Sequence, residues 1–156
     1  MERWVEAHPE DYMERSHVAL TYYSTDRLEE AERAYRFIIE ESACYADRNW
    51  VVYTTALLFL GRTYMKMGRL EEAMTYLHKA EAVDRDYILT QLTLAELCAQ
   101  LEEHKAVLEH ARLVVESKRQ MTFFPIDYDE VNFSAHLLMA RSYKARSMWP
   151  EAAASF

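Results

Sequence analysis

Glycine and proline are scarce in this chain of 156 residues, which contains two glycines and three prolines. A sheet protein with many tight turns needs both residue types at its corners, so their scarcity favours an all-helical fold. A glycine-rich phosphate-binding loop is excluded for the same reason. Hydrophobic residues make up 51% of the chain and charged residues 28%, a balance typical of a globular domain.

No stretch of the sequence has the pattern of a membrane span or a signal peptide. The longest run without a charged residue, Asn49–Gly61, has thirteen residues, whereas a spanning helix needs about 20. The first eleven residues, MERWVEAHPED, carry charge throughout and lack an apolar core. Cys44 and Cys98 form no close-spaced motif and are predicted to be buried free thiols, which suits a reducing compartment. We therefore expect a cytoplasmic protein that does not contact membranes.

Catalytic and metal-binding patterns are also missing. The six histidines are scattered without an H-x3-H pair, and no Ser-His-Asp or Cys-His set stands out. The acidic pairs Glu29–Glu30 and Glu71–Glu72 fall where helices are expected to begin, and there they favour the helix dipole. A net charge of −8 disfavours nucleic acid as a partner. The sequence predicts a protein that is not an enzyme and has no metal or other cofactor.

Apolar residues recur at helical spacing along most of the chain, which predicts seven nearly complete helices and a partial one at each end. Asp26 and Ser147 are good N-cap residue types, and Pro150 suits the first turn of a helix. Short breaks in the pattern predict helix–turn–helix corners. These breaks lie at 24–27, 67–69, 83–86, 101–104 and 147–150.

The segment LGRTYMKMGRLEEA has Leu60, Gly61, Tyr64, Gly68 and Ala73 in a recognisable order. This order resembles the tetratricopeptide repeat, a helix–turn–helix of 34 residues with small residues at fixed places. The other positions of the pattern are a first bulky residue, an aromatic, a final small residue and a proline, here taken by Leu57, Leu77, Ala80 and Arg85. The resemblance implies an α-solenoid, a right-handed superhelical array of antiparallel helix hairpins.

The same frame occurs in other parts of the chain. Nine residues separate Tyr64 from Ala73, and the same interval separates two other Tyr–Ala pairs, which are Tyr22 with Ala31 and Tyr143 with Ala152. A fourth copy is less clear, because only eight residues separate Cys98 from Ala106. This spacing predicts either that the turn of the fourth copy is one residue shorter, or that Leu97 takes the position that Tyr64 has in the clear repeat. Gly61 and Ala73 are predicted to face each other where two helices cross closely.

The phase of the repeats predicts one domain over 1–156 that is a fragment of a longer chain. Pro9 lies where the family places its terminal proline, and Phe156 takes the aromatic place of a second helix. The predicted parts are a partial repeat 1–11, repeats 12–46, 47–86 and 87–118, a loop 119–128 and a partial repeat 129–156.

The resemblance also implies a concave groove, lined by the first helix of each hairpin, that binds peptide segments. The basic pairs Arg62–Lys66 and Arg141–Lys144 predict acidic segments as the class of ligand, and the alternative is that these side chains are solvated or paired with nearby glutamates. The family's carboxylate clamp uses Lys and Asn where this chain has Ser16 and Leu20, which argues against its C-terminal ligand motif. The predicted groove residues are Tyr23, Leu58, Arg62, Met65, Lys66, Gln91, Arg141 and Lys144.

Three functions are consistent with these features. The first is an interaction module that acts as a scaffold or adaptor for a protein or peptide. The second is an accessory repeat domain of a larger enzyme, such as a bacterial glycosyltransferase, and the third is self-association through exposed repeat ends. The sequence that flanks the chain in its full-length protein would separate the first two hypotheses.

Overall fold

The computed structural model describes residues 12–42, 50–117 and 127–146, which form seven α-helices and no strand. The predicted all-α fold class is therefore confirmed for this part of the chain. None of its helices is both long and apolar enough to cross a bilayer. The helices are α1 (Tyr12–Ser24), α2 (Leu28–Ser42), α3 (Trp50–Lys66), α4 (Leu70–Val83), α5 (Ile88–Gln100), α6 (His104–Glu116) and α7 (Tyr128–Ala145).

The helices belong to two compact units, Met1–Val83 with α1 to α4 and Asp84–Phe156 with α5 to α7. In the first unit α1 packs on α2 and α3 packs on α4, and α3 also contacts α1 and α2. In the second unit α5 packs on α6, and α7 contacts both of them. Three of the helix pairs are joined by turns of three residues and form antiparallel hairpins. Such hairpins are the architecture that the resemblance implied. The superhelical twist of the whole array remains a prediction.

The three short turns between paired helices share one backbone conformation. The middle residue of each turn has a positive φ, which is 57° at Asp26, 75° at Gly68 and 59° at Glu102. The N–H of the next residue donates to a carbonyl five residues back, over 2.9 Å in all three turns. This bond is the six-to-one bond of a helix C-terminal motif whose left-handed residue is usually glycine. Asp26 is thus a left-handed turn residue, and its predicted role as an N-cap is wrong.

The third turn corrects the sequence register of its hairpin. The turn from Gln100 to His104 has the same length as the other two, so Cys98 is the equivalent of Tyr64. Nine residues after Cys98 stands Val107, which is fully buried as Ala73 is, while Ala106 is only half-buried. The predicted shorter turn and the alternative with Leu97 are both wrong, because a valine takes the small-residue position.

The predicted close crossing in the hairpin of α3 and α4 is present around Gly61. A Cβ atom built on Gly61 would lie 2.7 Å from Cγ of Leu77 and 3.4 Å from the carbonyl oxygen of Ala73. Both Leu77 and Ala73 are fully buried. The side chain of Leu77 therefore fills the space that a residue larger than glycine would need.

Several predictions fall on residues outside the described ranges. These are the partial repeat 1–11, Cys44, the loop as far as residue 126, and the last hairpin beyond residue 146 with Ser147, Pro150 and Ala152. Next to the loop, Asp127 caps α7, because its side chain accepts hydrogen bonds from the N–H groups of Asp129 (3.0 Å) and Glu130 (3.2 Å). The other cysteine, Cys98, is a buried free thiol as predicted.

Glu102→Gly is expected to raise the free energy of unfolding by about 0.5–1 kcal/mol. A left-handed conformation strains a residue that has a Cβ atom, and Glu102 is exposed, so its side chain contributes little packing. The gain is smaller than the strain because glycine also loosens the unfolded chain. Urea unfolding followed by circular dichroism measures the effect. The neighbouring Glu103→Gly, at φ −82°, has no such strain to relieve and should not stabilise, and equal behaviour of the two variants would contradict the prediction.

Candidate binding surface

The contact between α1 and α3 in the first unit is aromatic. The ring of Tyr23 meets the ring of Phe59 edge-on, with centroids 5.6 Å apart. The same Phe59 ring stacks on Tyr35 of α2 at 5.9 Å, and Tyr35 is almost completely buried. Burial raises the pKa of the Tyr35 phenol strongly. These rings fix the first helices of two successive hairpins side by side.

Arg62 lies on α3 next to this aromatic cluster. Its guanidinium carbon is 5.8 Å from the centroid of Phe59, within cation–π range. The side chain is half-buried. The positions one turn away on α3 hold Leu58, Phe59, Met65 and Lys66, none of which is acidic. Within residues 12–42, 50–117 and 127–146, no carboxylate forms an ion pair with Arg62, so its charge is available to a ligand.

Lys66, one turn further along α3, is engaged within the protein. Its Nζ lies 2.6 Å from a carboxylate oxygen of Asp26 in the turn between α1 and α2. The same ammonium group lies 4.4 Å from the centroid of the Tyr23 ring. Lys66 therefore pairs with an acidic residue of the chain, which is Asp26 and not one of the glutamates that the alternative interpretation named. Met65 is half-buried beside it.

Two of the predicted groove residues lie in the protein interior. Leu58 is completely buried in the first unit, and Gln91 of α5 is 1% exposed in the second. Nε2 of Gln91 donates to the carbonyl of Arg85 over 2.7 Å, and its Oε1 lies 2.7 Å from Nδ1 of His110. Because Oε1 can only accept, Nδ1 of His110 is the donor. The assignment of Leu58 and Gln91 to an open groove is wrong, because both side chains are buried, and Gln91 joins α5 to α6 through His110.

The remaining predicted residues, Arg141 and Lys144, are exposed on α7 of the second unit. They share this helix with Phe133, whose side chain is 60% exposed, and with the half-buried Leu137. The eight predicted residues thus divide into three groups. Tyr23, Arg62, Met65 and Lys66 lie on α1 and α3, Arg141 and Lys144 lie on α7, and Leu58 and Gln91 are interior.

A polar network that the sequence reasoning missed joins α2, α3 and α4. The Tyr64 hydroxyl donates to Glu32 Oε1 over 2.9 Å and accepts from Arg36 Nη2 over 2.7 Å. The other carboxylate oxygen of Glu32 accepts from Arg69 Nη1 over 3.0 Å. Burial and the hydrogen bond to Glu32 raise the pKa of Tyr64. Arg69 also pairs with Glu72 and so lowers the pKa of that carboxyl.

The second unit repeats one element of this network. Arg112 Nη2 of α6 donates to the Tyr143 hydroxyl of α7 over 2.8 Å. Arg112 stands five residues after Val107, and Arg36 stands five residues after Ala31. The repeat tyrosine therefore accepts a hydrogen bond from an arginine of the preceding hairpin in both units. This hydrogen bond links each hairpin to the next helix within its own unit.

In the ranges that the structure describes, no group of three or more His, Cys, Asp or Glu side chains could hold a metal ion.

The comparisons with known proteins agree with this architecture. The sequence model of the tetratricopeptide repeat matches residues 54–87. A crystal structure of MamA protein matches the fold with a TM-score of 0.73 and 14% sequence identity, and the match covers 99% of this chain and 74% of that chain. No curated protein matches the sequence. Residues 54–87, which include most of α3 and all of α4, therefore match the tetratricopeptide repeat in sequence, and the chain as a whole is similar in fold to a solved structure.

Proposed function

We propose that this protein is a non-catalytic interaction module that binds an acidic peptide segment of a partner protein. The surface that we propose for this role in the first unit consists of Tyr23, Arg62 and Met65. A helical-repeat fold supports an interaction role in general, because stacked hairpins offer extended surfaces to partners. The more specific part of the proposal is that the ligand is acidic.

The observation that carries the proposal is that Arg62 is partly buried and has no ion pair with a carboxylate of the described residues. Arg62 is half-buried as a residue, and its guanidinium carbon lies 5.8 Å from the centroid of Phe59. A cation in such partly desolvated surroundings interacts more strongly with an incoming carboxylate than a fully solvated one does. Arginine also presents a fixed fork of donors that fits a carboxylate. The neighbouring Lys66 contributes little additional charge, because Asp26 already pairs with it.

Arg62→Glu is expected to weaken binding of an acidic peptide by at least about tenfold. The probe is a pool of fluorescein-labelled decapeptides rich in Asp, Glu and apolar residues, measured by fluorescence polarisation against a pool in which Lys and Arg replace the acids. We expect micromolar affinity for the acidic pool, or about 8 kcal/mol, and a loss of affinity as salt increases.

Arg33→Glu is the matched control, because Arg33 is an exposed arginine on α2 of the same unit. The control makes the same change of net charge away from the proposed surface, so it reports the effect of overall charge alone. If Arg62→Glu and Arg33→Glu bind the acidic pool equally well, the proposed surface is not the binding site. A preference of the wild-type protein for the basic pool would contradict the acidic specificity itself.

A further inference from the structure

An arginine of one hairpin donates a hydrogen bond to the repeat tyrosine of the next helix once in each compact unit. In the first unit Nη2 of Arg36 donates to the Tyr64 hydroxyl over 2.7 Å. In the second unit Nη2 of Arg112 donates to the Tyr143 hydroxyl over 2.8 Å. A charged donor makes such a bond stronger than one between neutral groups. This contact, which we call the arginine–tyrosine bond, therefore ties a hairpin to the helix that follows it.

The repeat register places His78 and Cys98 where a third arginine–tyrosine bond would have its two partners. His78 follows the buried small residue of α4 by five positions, as Arg36 follows that of α2. Cys98 takes the place of Tyr64 in the hairpin of α5 and α6. A thiol is a weak acceptor of hydrogen bonds, and Nδ1 of His78 lies 3.1 Å from a carboxylate oxygen of Glu81 on its own helix. Positions 78 and 98 therefore supply neither the guanidinium nor the phenol hydroxyl that this bond needs.

The connection between α4 and α5 is held by hydrogen bonds of the second unit. Nε2 of the buried Gln91 donates to the carbonyl oxygen of Arg85 over 2.7 Å. The N–H of Tyr87 donates to the carbonyl oxygen of Asp84 over 3.3 Å. Val83, the last residue of α4, is 40% exposed. The first unit therefore ends at Val83, and the connection belongs to the second.

We propose that the chain unfolds in two separate cooperative steps, one for the unit that ends at Val83 and one for the unit that begins at Asp84. A helical-repeat protein is stabilised by terms within each repeat and by terms between neighbouring repeats. Where a term between neighbours is weak, one part of the array opens while the rest stays folded. His78 and Cys98 mark that position in this chain. The proposal needs no ligand, so it does not rest on the binding role of Arg62.

Native-state hydrogen exchange of the full chain at low urea, read by mass spectrometry of peptic fragments, tests the proposal. Gly61→Leu overpacks the hairpin of α3 and α4, and it should speed amide exchange in α1 to α4 at least about tenfold. Exchange in α5 to α7 should stay within about twofold of the wild type. Leu108→Ala removes a side chain from the core that α5, α6 and α7 share and should give the reverse pattern.

Glu71→Leu is the matched control, because it adds the same side chain as Gly61→Leu at an exposed position of α4. It should leave exchange in both units within about twofold of the wild type. The proposal is overturned if Gly61→Leu or Leu108→Ala speeds exchange in both units alike, since the chain would then open as one cooperative unit. A Gly61→Leu variant that loses all protection in the first unit and keeps it in the second supports the proposal.

A second set of variants tests the cause of the division. The equivalents of Cys98 in two other hairpins are buried tyrosines, Tyr64 at 0% and Tyr143 at 5% exposure, so this repeat position accepts the larger side chain elsewhere. His78→Arg with Cys98→Tyr supplies both partners of the bond, and His78→Arg with Cys98→Phe supplies the ring without the hydroxyl. Because opening either unit would break the new bond, the tyrosine variant should exchange at least about fivefold more slowly than the phenylalanine variant in both units. Equal exchange in the two variants would overturn the proposed cause.

Discussion

Gly61→Leu is expected to destabilise the protein by about 3 kcal/mol, the upper end of the usual cost of overpacking. Even the first carbon of a new side chain would lie 2.7 Å from Cγ and 2.8 Å from Cδ2 of Leu77. These atoms belong to a fully buried side chain with little room to move. Gly61→Ala separates this clash from helix propensity, because alanine in place of a helical glycine is usually worth about 1 kcal/mol of stability. Here the clash should cancel that gain or exceed it.

Urea unfolding of the two Gly61 variants and of Leu77→Ala measures the effect, and a double-mutant cycle assigns it to the pair. In the Leu77→Ala background, Gly61→Ala should become stabilising, because the atoms in its path are gone. Glu71→Leu is the control for adding a large apolar side chain, since Glu71 is exposed on the facing helix α4. If Gly61→Ala stabilises the otherwise unchanged protein by the full helix-propensity gain, α3 and α4 do not approach closely at this point.

The sequence predicts the parts of the fold that depend on local rules. The breaks at 24–27 and 67–69 lie where α1 and α3 end, because short polar segments interrupt an apolar period of 3.6 residues. Gly68 indicates a left-handed turn because glycine adopts positive φ without strain. Glu102 carries no such signal. Because no glycine marks the left-handed residue of this turn, the sequence predicts a register for the hairpin of α5 and α6 that differs by one residue from the structure.

The candidate site was less predictable, because exposure depends on what packs beside a helix. Leu58 and Arg62 are one turn apart on the same helix, yet Leu58 is completely buried and Arg62 is partly exposed to solvent. The ion pair of Lys66 joins residues 40 positions apart in sequence. Spacing within one helix cannot reveal such a partner. Arg141 and Lys144 are exposed on α7, and their place in a peptide-binding groove stays a prediction.

Glu32→Ala is expected to reduce the free energy of unfolding by about 2 kcal/mol. The Glu32 carboxylate accepts hydrogen bonds from Tyr64, Arg36 and Arg69, and its side chain is only 17% exposed. Without it, the Tyr64 hydroxyl loses its acceptor, and two arginines keep their charges beside each other. This expected loss of stability is smaller than that for breaking a fully buried ion pair, because the side chains of Arg36 and Arg69 remain partly exposed to solvent. The change should also weaken the contact of α2 with α3.

Glu29→Ala is the matched control, because Glu29 is exposed on the same helix and its loss should stay within about 0.5 kcal/mol of neutral. Tyr64→Phe removes the hydroxyl and leaves the ring, so combining it with Glu32→Ala measures the coupling of the two groups. We expect a coupling of about 1 kcal/mol, since a hydrogen bond to a charged acceptor is lost in each single variant. Additive effects, or a Glu32→Ala variant as stable as Glu29→Ala, would show that the network is a surface feature. The stacking of α2 on α3 would then rest on apolar packing such as that of Tyr35 on Phe59.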